Sequence, residues 1–193
     1  MSILVLTSDT LIGTPATGNL EYNGQFFGTD SNASRAQIER FTQASVINTT
    51  SGTTALFSGI PAWAKKITIG FSSVTYASTS LLMVQLGTSG GLVTSGYTGY
   101  AYTPATPASM STSFLVQAAN NSGNAHSGTA TLMLVDSANN IWVFSAVGGG
   151  VATNTASMAG GRVALSSALT QLQVSTVAGT TFSAGAVNIL YEG

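Results

Sequence analysis

The chain has 193 residues, no cysteine, and only eleven charged side chains, five basic and six acidic. Charged residues make up 6% of it, against roughly 25% in an ordinary soluble domain. The lack of cysteine excludes disulfides, thiolate metal sites and cysteine nucleophiles. A formal net charge of −1 with one adjacent basic pair, Lys65-Lys66, excludes the clustered cations that nucleic acid requires.

Thr, Ser, Ala and Gly together supply 99 residues, yet 44% of the chain is hydrophobic, so it is not a disordered polar tract. A folded monomer of this size exposes roughly 8,500 Å², about one charge per 800 Å². That is too sparse to hydrate an isolated particle. Uncharged polar side chains and other copies of the chain are expected to cover the surface. No apolar run approaches the ~20 residues of a membrane span, so no membrane insertion is expected. The opening Met1-Ser2-Ile3-Leu4-Val5-Leu6-Thr7 lacks the basic and long apolar regions of a signal peptide.

Six of the eleven charges, Asp9, Glu21, Asp30, Arg35, Glu39 and Arg40, fall in the first 40 residues. This divides the chain into an N-terminal attachment or oligomerisation segment, residues 1–50, and a body, residues 51–193, with the boundary around Val46 to Thr54. In the first segment, Leu20-Glu21-Tyr22 and Gln25-Phe26-Phe27 flank Asn23-Gly24, the strongest two-residue hairpin signal. Arg35 to Phe41 reads equally as a short helix or a strand. In the body, Ile67-Thr68-Ile69-Gly70-Phe71 alternates with period two and puts Ile67, Ile69 and Phe71 on one face. Thr129–Val135 and Ile141–Val147 flank a five-residue run of turn formers that opens on Asp136. Leu172-Gln173-Val174 and Val187 to Tyr191 alternate again. Turn signals every 8 to 12 residues or so, with no helical period, predict an all-β antiparallel sandwich body after a short N-terminal β segment.

Several stretches also resemble a domain of tailed-bacteriophage virion proteins that commonly ends tail fibres. They are Phe57-Ser58-Gly59-Ile60-Pro61-Ala62-Trp63-Ala64-Lys65-Lys66-Ile67-Thr68-Ile69, Val84-Gln85-Leu86-Gly87, Ser95-Gly96-Tyr97, the isolated Trp142, Leu169-Thr170-Gln171-Leu172-Gln173-Val174, and the ending Phe182 to Glu192. The similarity runs from Phe57 to Glu192, and Gly18 to Gly24 resembles a short element preceding such tips. Ser183 departs from it, standing where an acidic residue follows the Phe. The resemblance implies a jelly-roll-like sandwich assembling as a homotrimer in the virion, made in the host cytoplasm. The N-terminal segment would meet other virion proteins, and the exposed loops a host surface glycan or protein. A capsid decoration, cement or head-fibre subunit is the main alternative, which the shortness of the chain favours; a glycan-degrading tail tip is another.

Chemistry is limited by supply. Glycoside hydrolysis needs two carboxyls roughly 5 to 9.5 Å apart, and the body has only Asp136, read as a turn cap, and Glu192. The single histidine, His126, is read as a loop residue with no Gly-x-Ser-x-Gly elbow to complete a triad. Gly148-Gly149-Gly150 and Gly160-Gly161 lack the spacing of a nucleotide cradle and are read as loop or close-packing glycines. No enzyme activity, cofactor or metal is expected. For recognition, Tyr97, Tyr100 and Tyr102 lie within six residues among Gly and Thr and make an amphipathic surface with little rotamer entropy to lose. These three, with His126, are the expected receptor contacts; Trp63 and Trp142 are the expected core or trimer anchors.

Overall fold

The computed structural model describes residues 13–14, 16–22, 26–38, 40–104, 106–118, 123–150 and 155–193. The chain divides into two compact units, Met1–Arg40 and Phe41–Gly193. Within the first, β1 (Leu20–Tyr22), β2 (Phe26–Thr29) and β3 (Arg35–Gln37) form a three-stranded antiparallel sheet. Tyr22 pairs with Phe26, as expected of a hairpin, while the Asn23-Gly24 turn itself lies outside the described residues. Arg35–Gln37 resolves as strand, not helix. Glu21 and Arg35 form a two-pronged ion pair, with Arg35 Nε 2.8 Å from Glu21 Oε2 and Nη2 3.2 Å from Oε1. Asp30 caps the next turn, its Oδ1 accepting from the amides of Asn32 and Ser34, both at 2.9 Å.

The second unit begins nearer the N-terminus than the composition shift at 46–54. The reason is backbone pairing: β4 (Phe41–Gln43) and β5 (Ile47–Asn48) both bond along the last strand, β17 (Phe182–Glu192). The remaining strands are β6 (Thr54–Ser58), β7 (Lys66–Tyr76), β8 (Leu82–Thr88), β9 (Gly91–Leu92), β10 (Thr98–Thr103), β11 (Thr106–Met110), β12 (Phe114–Leu115), β13 (His126–Asp136), β14 (Ile141–Gly150), β15 (Thr155–Ala164) and β16 (Gln171–Thr176). The described residues contain no helix, so the expected all-β class holds.

These strands form two antiparallel sheets packed face to face. The larger runs β11-β10-β15-β14-β13-β7-β17-β4, with β5 also on β17; the smaller runs β12-β8-β16-β6, with β9 on β8. Period-two alternation sets the core: Ile67, Ile69, Phe71, Leu132, Phe144, Val163 and Ile189 from the large sheet meet Phe57, Val84, Leu86, Phe114, Leu172 and Val174 from the small one. Phe144 stacks on Phe114 across the layers at 4.5 Å between ring centroids and 5° between planes. Asp136 caps the β13–β14 turn, accepting at Oδ1 from the Ala138 and Asn139 amides (2.9 and 3.1 Å) and at Oδ2 from Asn139 Nδ2 (2.7 Å). The Asn139 side chain is the main cause holding its carboxyl below the usual range.

Candidate functional site: the outer face of the large sheet

The tyrosine tract splits by strand parity. Tyr97 lies just before β10, on the side of the inward-facing Ala101 and Thr103, and is 2% exposed. Its hydroxyl accepts from the Leu86 amide at 2.9 Å and donates to the Val93 carbonyl at 3.1 Å. Its ring meets Phe114 edge-on at 4.8 Å. Burial pushes the phenol up to about 12, against the opposing effect of the Leu86 bond. Tyr97 is therefore a core residue, and its reading as a receptor contact is corrected. Tyr100 and Tyr102 point the other way and are 67% and 47% exposed.

Around them the outer face follows from register. Tyr102 lies opposite Pro107 on one side and Met158 on the other; Met158 lies opposite Val147, and Val147 opposite Thr129. The next row crosses Ser109, Tyr100, Gly160, Ser145 and Thr131, and a third crosses Thr98, Arg162, Val143 and Met133. Met158, Val147, Met133 and Val143 are exposed beside the two tyrosines. Within these rows the charged side chain is Arg162. Farther along, Lys66 and Glu192 neutralise each other at 2.6 Å. Large apolar groups interleaved with Ser, Thr and Gly thus cover a broad, weakly charged sheet surface. Gly99 helps position it: at φ 151° β10 runs so close to β15 that a Cβ there would strike the Gly160 carbonyl.

His126 is likewise not a surface loop residue. It opens β13 on the inner face and is 1% exposed. A bulge between His126 and Gly128 against β7 turns it beside Phe71, with ring centroids 5.7 Å apart. Its ring occupies the space a side chain at 148 would need, since a Cβ on Gly148 would lie 2.6 Å from both Cε1 and Nε2. Gly148 to Gly150 are thus strand glycines in β14, packed close as the alternative reading had it. Among the described residues neither His126 ring nitrogen has a hydrogen-bond partner. Burial pulls its imidazole down to about 4, so it is neutral at physiological pH. As a receptor contact it is withdrawn.

Trp142 is a core residue at 2% exposure, and Trp63 is half-buried and packed against the same core. Ser183 donates its hydroxyl to Thr75 Oγ1 at 3.0 Å. Of the two body carboxylates, Asp136 is engaged in its turn and Glu192 in an ion pair. Among the described residues no three His, Cys, Asp or Glu side chains gather where a metal could be held. No helix among them is long and apolar enough to cross a membrane.

No protein family, curated protein or solved structure matches the chain.

Proposed function

We propose that this chain is a non-enzymatic structural subunit of a bacteriophage virion, a tail-fibre or tail-tip component. It trimerises, joins other virion proteins through its N-terminal unit, and holds a host surface glycan or protein. The observation that carries this reading is the outer face around Tyr100, Tyr102, Met158 and Val147. It is broad, exposed, apolar and almost without charge. Contiguous exposed apolar surface of this kind marks association, and tyrosines on it suit sugars and proteins alike. Weak contacts repeated over three copies, and over many spikes, hold firmly without a deep pocket.

Electron microscopy of intact particles carrying the chain tests the assignment. Density for it at the tail supports the proposal. Density over the capsid overturns the tail-tip role in favour of a head-decoration subunit. Release of shorter saccharides when purified protein meets host polysaccharide overturns the non-enzymatic reading.

A further inference from the structure

Gly160 leaves an opening in the middle of the outer face. It lies within β15 and is exposed. A Cβ built on it would meet nothing nearer than the Phe144 carbonyl oxygen, at 3.9 Å. Across the sheet its neighbours on that face are Tyr100 of β10 and Ser145 of β14; along β15 they are Met158 and Arg162. All four are exposed. Neighbouring strands lie about 4.8 Å apart, and residues sharing a face of one strand about 6.6 Å apart. A notch floored by backbone is thus rimmed by a phenol, a hydroxyl, a thioether and a guanidinium.

Arg162 belongs to neither ion pair found among the described residues. Its own row runs through Val143 and Met133 to Lys66 and Glu192, which are engaged with each other. The carboxylate on that row therefore starts four strand spacings away, about 19 Å. Tyr100 belongs to none of the ring pairs among the described residues.

We propose that the notch over Gly160 binds an acidic saccharide through Arg162 and Tyr100, an inference that rests on the recognition role proposed for this face. The guanidinium is a planar fork that a carboxylate matches with two parallel hydrogen bonds, and one cation answers one negative charge. Glycine at 160 keeps the floor clear for a sugar ring. Tyr100 supplies an aromatic wall, and Ser145, with Thr98 and Thr131 in the flanking positions, supplies hydroxyls that both donate and accept. An acidic peptide fits less well. Peptides add to a sheet edge, lie in a groove or meet clustered arginines, whereas β15 is paired on both sides and Arg162 stands alone in these rows.

The test is calorimetric titration of the full chain with galacturonate and glucuronate oligosaccharides, their uncharged methyl esters, and tetraglutamate. At least one acid is expected to bind saturably, with its ester and tetraglutamate about tenfold weaker. Arg162→Gln, at an exposed position, should weaken the acid by about the same factor and leave the ester unchanged, as befits one charge-assisted pair. Gly160→Val should weaken acid and ester alike without lowering the melting temperature. Equal binding of the ester or of tetraglutamate, unchanged affinity in either variant, or no saturable binding of both acids overturns the proposal. Tyr100→Ser separates this failure from that of the recognition role. If the acids do not bind but Tyr100→Ser still loses adhesion to host cells, only the acidic saccharide falls; if adhesion is also intact, both fall.

Discussion

The two units meet the demand for burial in opposite ways. In Met1–Arg40 the three-stranded sheet has a side carrying Leu20, Phe26 and Ile38, which are 62%, 43% and 48% exposed, while the charges Glu21 and Arg35 pair across its strands. In Phe41–Gly193 two sheets close over an aromatic and aliphatic core, and charge is nearly absent. A three-stranded sheet buries little apolar surface of its own, so cross-strand pairs such as Glu21–Arg35 add to its stability. A sandwich needs no such pairs for its core, and is left with a weakly charged exterior. The division of charge along the sequence therefore reflects two ways of stabilising β-structure.

The contrast breaks most sharply at the stack between the layers. Phe144→Ala is expected to cost the body about 3 to 5 kcal/mol, as large core truncations do, measured as a lowered urea midpoint of the main unfolding transition. Next comes acid. Because burial holds His126 near 4 while an unfolded imidazole titrates near 6.5, the folded state binds the proton less readily. Stability is full above about pH 6.5 and falls as the pH drops toward 4, by about 1.4 kcal/mol per unit. Thermal melts in that window should show this slope, and His126→Leu should flatten it.

Glu21→Gln is expected to loosen only the N-terminal sheet, by about 1 to 2 kcal/mol for a part-buried charged hydrogen bond. Hydrogen exchange should quicken at β2 and β3 and stay unchanged in β13 and β14. The smallest stability effect belongs to the outer face. Replacing Tyr100 and Tyr102 together by Ser should move the stability of the body by no more than about 0.5 kcal/mol per site. The same double variant should lose measurable adhesion of the protein to host cells.

Alternation made most of the body legible. Ile67, Ile69 and Phe71, then Leu172 and Val174, then Val187, Ile189 and Tyr191 all face inward as period two demands. The same parity, carried one step further, would have separated Tyr97 from Tyr100 and Tyr102. It would also have placed His126 with Ala130 and Leu132 on the inner face, had the strand been started at 126 rather than 129. The polar run ahead of His126 masked that start, because Asn, Ser and Gly signal a loop whether or not a strand begins within them. The pairing of residues 41–48 on β17 was not legible, since a partner about 140 residues away leaves no local pattern. Nor was the notch over Gly160, whose rim comes from three strands paired side by side.

Mass measurement by light scattering at micromolar concentration tests most directly the claim that scarce charge and an apolar outer face mean association. A particle of three chains of 19.5 kDa each is expected. A stable single chain at that concentration would contradict it.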